Sequence, residues 1–196
     1  LNLMIGEKKK RKQRSDRKRD IKPYLNLEIR DGIHRLSYIL SMPIKDVCEK
    51  LLLNSLYGNK EIIKDLSMYF KRGIRINNTY FNGNLNNEKL YSVADGKTER
   101  VSFRVKGEVY EVLSALAYGF DVSVSRVAAV FIYESILDGA FVEKLVEEHL
   151  ESLDKSRKKE LKTLLKYIQT EKGDSYSLAD LLSFLVDEPI RWSFPE

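Results

Sequence analysis

Apolar and polar residues alternate most regularly at residues 101–105, where Val101, Phe103 and Val105 are interleaved with Ser102 and Arg104 and preceded by Arg100. A period of two sends successive side chains to opposite faces, so this stretch predicts a half-buried strand with Arg100, Ser102 and Arg104 outward. Beyond Gly107, the positions Val109, Val112, Leu113 and Leu116 recur at helical spacing. The pattern breaks over Phe120 to Ser125, and a strongly apolar second helix is predicted from Arg126 to Leu137, with Ser123 or Ser125 as its N-cap. The unit is strand, helix, helix.

The same order is predicted once before. Tyr24-Leu25-Asn26-Leu27-Glu28-Ile29-Arg30 alternates with Leu25, Leu27 and Ile29 on one face and Tyr24, Asn26 and Glu28 on the other, which predicts a strand after Pro23. Helical spacing runs from Ile33 to Leu40, Met42-Pro43 interrupts it, and a second helix runs from Ile44 to Leu56 before Tyr57-Gly58-Asn59. Superposing Ile29 on Val105 aligns the two strands at an offset of 105 − 29 = 76 residues. At that offset the second helices align only if the first copy lacks about one helical turn.

Five segments follow from this reading: residues 1–22, a basic arm; 23–57, the first unit; 58–98, a helix and an asparagine-rich connection; 99–138, the second unit; and 139–196, a C-terminal helical region. In the connection, Ile62, Ile63, Leu66, Met68 and Phe70 predict a helix ending at Gly73. Residues 73–97 carry six asparagines and three glycines and are read as a loop or hinge, in which Thr79-Tyr80-Phe81 can pair as a strand. In the C-terminal region one amphipathic stripe is Val142, Leu145, Val146, Leu150 and Leu153, and another is Leu161, Leu164, Leu165 and Ile168. The charged run Asp154 to Lys159 is read as the break between them, and a last short helix is predicted over Leu178 to Val186, capped by Ser177 and limited by Pro189.

Charge sharpens the picture. The net charge is +5, yet residues 8–22 hold ten Lys/Arg against Asp16 and Asp20, so the rest of the chain is net negative. A stretch with so few apolar residues cannot offset the entropy of its own ordering, which predicts a flexible arm. A density of cations like this draws a polyanion, and the plainer reading is a solubilising charge run. One cysteine, Cys48, and two histidines, His34 and His149, give no zinc-like spacing, so no metal or cofactor is expected. No apolar run approaches the roughly 18 residues of a membrane span and no signal-type apolar segment opens the chain, so a cytoplasmic, nucleoid-associated location is expected. There is no phosphate-binding loop, nucleophile elbow or paired-histidine motif, so enzymatic activity is not expected.

Residues 100–136, RVSFRVKGEVYEVLSALAYGFDVSVSRVAAVFIYESI, with the weaker copy at 24–56, resemble the ribbon-helix-helix superfamily of bacterial, phage and plasmid regulators. The resemblance is to a pattern covering a little over a third of the chain. It implies a mainly α fold with a short β-ribbon: tandem ribbon-helix-helix units plus a C-terminal helical extension. It also implies double-stranded DNA as partner, with an antiparallel ribbon in the major groove and a role as a repressor-type transcriptional regulator. By the family pattern, Arg100, Ser102 and Arg104, with Tyr24, Asn26 and Glu28, fall where ribbon residues read base edges. Ser123, Val124 and Ser125 fall at the helix start that meets a phosphate, and Pro43 removes one donor at the matching turn of the first unit. The arm residues Lys8, Lys9, Lys10, Arg11, Lys12, Arg14, Arg17, Lys18 and Arg19 are expected on phosphates.

Pairing of the two strands within one chain gives a ribbon with unlike faces and an asymmetric site, and pairing of like units between chains gives an obligate dimer. Both remain open at this level, as does a homo-oligomer through the C-terminal helices. The competing function is an antitoxin-like, partition or relaxosome accessory interaction protein on the same fold, and an RNA-binding role is the other alternative for an arginine-rich arm.

Overall fold

The computed structural model describes residues 17–172, except Asn77 and Glu148. The fold is mainly helical, with short antiparallel strand pairs. Strands β1 (Arg19–Ile21) and β2 (Tyr24–Asn26) lead into helices α1 (Leu27–Ile39) and α2 (Ile44–Leu53), the last of which continues as one wider π turn to Gly58. A connection follows with helix α3 (Lys60–Leu66) and the hairpin β3 (Ile74–Ile76) and β4 (Thr79–Phe81). Then β5 (Thr98–Arg100) and β6 (Phe103–Val105) lead into α4 (Gly107–Phe120) and α5 (Val124–Ile136), and α6 (Gly139–Glu147) and α7 (Lys155–Lys172) complete the described chain.

The strand, helix, helix order is therefore present twice, but not where alternation alone puts it. Residues 27–30 begin α1 rather than ending a strand, because the Asn26 side chain accepts from the Ile29 N–H and caps the helix. Leu27, which alternation places inward, is 37% exposed. With the helix starts at 27 and 107, and again at 44 and 124, the offset is 80 residues, and the 76-residue alignment and its missing turn are both corrected. At this offset buried residues match without a gap: Ile29 with Val109, Ile33 with Leu113, Leu36 with Leu116, Leu51 with Phe131, and Ser55 with Ser135. Even the helix breaks match, since Ser41 and Asp121 both take positive φ, 50° and 57°. That conformation is costly for an L-residue, and its recurrence at one place shows that the two breaks share a backbone path.

Helices α2 and α5 pack together at the centre. Their apolar faces, Val47, Cys48, Leu51 and Leu52 against Val127, Ala128, Phe131 and Ile132, are fully buried. The hydroxyl of buried Ser55 is satisfied by donating to the Phe131 carbonyl at 2.6 Å. Burial pushes the Cys48 thiol up to about 12. Because the thiolate is the reactive form, Cys48 is expected to resist a thiol reagent in the native protein at pH 8 and to react at once in denaturant. Fast native-state labelling would contradict this packing.

Outside its hairpin the asparagine-rich connection is loop, tied down by hydrogen bonds. Its predicted strand at 79–81 pairs with Ile74–Ile76, a second strand within the stretch expected to be loop. The hairpin region packs on α4, where the Lys71 and Arg72 N–H groups donate to the Gly119 carbonyl at 2.7 and 3.0 Å and the Phe70 and Phe120 rings stack at 4.3 Å. A Cβ on Gly119 would lie 2.9 Å from the Phe70 ring, so this approach needs glycine. The Asn87 side chain and the Asn84 N–H both donate to the Phe70 carbonyl.

The charged run at 154–159, read above as a break, is instead the start of α7: Asp154 accepts from the Arg157 N–H at 2.8 Å. Helix α7 lies on α1, with Leu164 beside Gly32, Arg35 ion-paired to Glu160, and Leu161, Leu164, Leu165 and Ile168 fully buried. The second of the two C-terminal apolar stripes is thus covered by α1. The predicted helix at 178–186 lies outside the described residues. Among the described residues no single helix is long and apolar enough to cross a membrane; α4 and α5 have that apolar length only together, across a 99° bend.

Candidate nucleic-acid interface

The ribbon forms because two strands, each with one apolar edge, can satisfy their backbone groups only on each other. Arg19 pairs with Val105, Ile21 with Phe103, Tyr24 with Arg100 and Asn26 with Thr98, all in one antiparallel register within the same chain. The two ladders are one ribbon interrupted at Pro23, whose carbonyl accepts from the Val101 N–H at 3.1 Å but which has no N–H to return. Ile21, Pro23 and Leu25 face the core from one strand, and Val101, Phe103 and Val105 from the other. The alternate residues Asp20, Lys22, Tyr24, Arg100, Ser102 and Arg104 are all exposed, on the side away from the helices.

These six residues form two cross-strand pairs with a polar centre. Arg104 Nε donates to Asp20 Oδ1 at 2.7 Å, and this hydrogen bond, more than the charge itself, holds the Asp20 carboxyl below its ordinary value. Arg100 lies with its guanidinium 5.5 Å from the centre of the Tyr24 ring. Lys22 and Ser102 sit between the pairs. Both arginines are solvated and held only by exposed partners, which cost little to replace.

Of the residues expected on base edges, Tyr24, Arg100, Ser102 and Arg104 share this outward face, and Asn26 and Glu28 do not. Asn26 caps α1, and Glu28 stands in the first turn of that helix, where a carboxylate suits the helix dipole. Their places on the ribbon belong to Asp20 and Lys22, which lie within the stretch expected to be arm. The signal that would have found them is the N-cap pattern at Asn26 together with the alternation of Ile21, Pro23 and Leu25.

Ser123 accepts from the Arg126 N–H at 3.2 Å as the N-cap of α5, with Val124 and Ser125 in the first turn. Ser123, Ser125 and Arg126 line a cavity of about 160 Å³ together with Tyr24 and a loop wall, Ser92, Val93 and Ala94. Arg126 pins that wall, its Nη2 donating to the Leu90 carbonyl at 2.6 Å and its Nε to the Tyr91 carbonyl at 3.3 Å. On the other side of the ribbon, the start of α2 borders an open groove of about 440 Å³ that contains Lys18, Lys22, Lys45 and Arg104.

Among the arm residues, Lys8, Lys9, Lys10, Arg11, Lys12 and Arg14 lie outside the described residues. Arg17 is exposed, Lys18 ion-pairs with Glu49 at 3.4 Å, and Arg19 is in β1 with its guanidinium 5.2 Å from the Tyr110 ring centre. The ribbon therefore begins at Arg19, inside the stretch expected to be arm. Among the described residues no three His, Cys, Asp or Glu side chains are placed to hold a metal ion. Compared with known proteins, the chain matches no family model, no curated protein and no solved structure.

Proposed function

We propose that this protein binds double-stranded DNA sequence-specifically as a repressor-type regulator, a single-chain tandem of ribbon-helix-helix units that lays its ribbon in the major groove. One observation carries the reading: two units at an offset of 80 residues pair one strand each into a ribbon whose inner residues are buried and whose outer face is entirely polar or aromatic and uncovered among the described residues. A two-stranded ribbon fits a major groove about 12 Å wide, and there arginine can bridge guanine O6 and N7. Arg100 and Arg104 are the residues of that type. Lys22 and Ser102 between them supply donors to base or phosphate oxygens.

Arg104 reaches a base by exchanging the exposed Asp20 carboxylate for a guanine edge. Arg104→Ala is expected to weaken a selected duplex by about 1–3 kcal/mol while changing a scrambled duplex far less. A gel-shift titration on both duplexes at fixed salt measures it. Equal losses on the two would count against base reading by the ribbon, and an equal preference for duplex RNA would count against major-groove recognition, since the A-form groove is too narrow for a ribbon.

A further inference from the structure

The two ends of the ribbon are related by the 80-residue offset, yet they are not equivalent. Around the α5 end, Tyr24, Ser125, Arg126 and Ala129 line the small cavity; their counterparts around the α2 end, Arg104, Lys45, Asp46 and Glu49, line the large one. The difference comes from what precedes each strand. Ahead of β5, residues 90–94 fold against the start of α5, where the Arg126 guanidinium holds the Leu90 and Tyr91 carbonyls and the Val93 carbonyl accepts from the Asn26 N–H at 3.2 Å. Ahead of β1 the chain arrives through Arg17 and Lys18, and Lys18 already lies in the α2 groove, paired with Glu49. Counted back by the same offset, residues 90–94 correspond to 10–14, which read Lys-Arg-Lys-Gln-Arg. In sequence, the neutral stretch of one unit is thus matched by a stretch of four cations in five residues in the other.

We infer that the protein sits on a duplex in one fixed orientation, gripping the phosphate backbone at the α2 end of the ribbon and not at the α5 end. This rests on the duplex-binding reading and adds a polarity to it. In the α2 groove two of the three acids are ion-paired, Asp20 by Arg104 and Glu49 by Lys18, while Lys22, whose charge also acts on Asp20, and Lys45, which stands beside the third acid, Asp46, make no ion pair of their own among the described residues. At the α5 end the one cation lining the cavity, Arg126, is committed to two carbonyls of its own chain. Backbone affinity scales with the phosphates that cations neutralise, so the two flanks of the bound site contribute unequally.

Two single-charge changes in the full-length protein test this: Lys45→Gln in the open groove and Ala94→Glu on the wall of the closed one. Both positions are at least partly exposed and neither substitution disturbs the core. Lys45→Gln is expected to weaken a selected duplex several-fold and to flatten the slope of log affinity against log salt by about 0.9, the loss of one phosphate contact. Ala94→Glu is expected to stay within about two-fold of the parent, and hydroxyl-radical footprinting is expected to show backbone protection extending on one flank of the ribbon only. Equal losses from the two variants, or protection symmetric about the centre, would overturn the polarity while leaving duplex binding in place. Failure of the parent protein to bind any duplex would overturn the functional reading itself, and the polarity with it.

Discussion

Removing residues 1–16 is expected to leave the fold intact and weaken binding to every duplex alike, whereas removing residues 1–22 is expected to abolish cooperative folding. The boundary lies where the chain becomes ribbon. The shorter truncation takes Lys8, Lys9, Lys10, Arg11, Lys12 and Arg14, and the salt slope flattens by up to roughly five if each meets a phosphate. The longer one also takes Arg19–Ile21, leaving the backbone of Phe103–Val105 without a partner and exposing the core beneath Ile21, which is 2% accessible. Circular dichroism melts of both proteins, beside a salt titration of the shorter, make the comparison. Identical melts would mean that β1 contributes nothing to the fold.

The second large effect is expected at the centre. Phe131 is fully buried where α5 meets α2, and its carbonyl is the acceptor for the buried Ser55 hydroxyl. Truncating it opens a cavity between the two units, at a cost of about 3–5 kcal/mol. Natural domains have about 5–15 kcal/mol in total, so Phe131→Ala is expected to lower the melting temperature by roughly 6–20 °C. Leu85, 74% exposed, is the control, and Leu85→Ala is expected to stay within about 0.5 kcal/mol of the parent. A loss at Phe131 as small as that at Leu85 would mean that the interface is not the core.

The second unit was legible because its signals agree. Val101, Phe103 and Val105 alternate, Gly107 ends the alternation, and Ser123 caps the next helix. The first unit was misread by four residues because Ile29 satisfies two patterns at once, continuing the alternation of Leu25 and Leu27 and opening the helical series to Ile33. Only the cap decides between them, and Asn26 is that cap. The true strand was hidden further by Pro23, which argues against a strand interior, and by the cations around it, which resemble a solvated arm. Two of the six expected base-reading residues moved with that shift: Tyr24 kept its outward place while Asn26 and Glu28 gave theirs to Lys22 and Asp20. The wall at Ser92–Ala94 had no local signal, since it depends on Arg126 reaching two carbonyls more than thirty residues upstream. The break expected at Asp154–Lys159 failed for a related reason: charge alone does not stop a helix when Asp154 can cap it.

Because both strands of the ribbon belong to one polypeptide, their meeting does not depend on how much protein is present. An assembly built from two separate chains comes apart on dilution, and its occupancy of a rare target then couples to its own association. Here the mate is tethered, at a local concentration set by the connection. The folded state therefore persists at the lowest abundance a cell can hold. Freedom from self-matching follows as well: a symmetric pair must present the same residues twice, whereas this chain can set Asp20 opposite Arg104 at one end and Tyr24 opposite Arg100 at the other, each free to change without its twin.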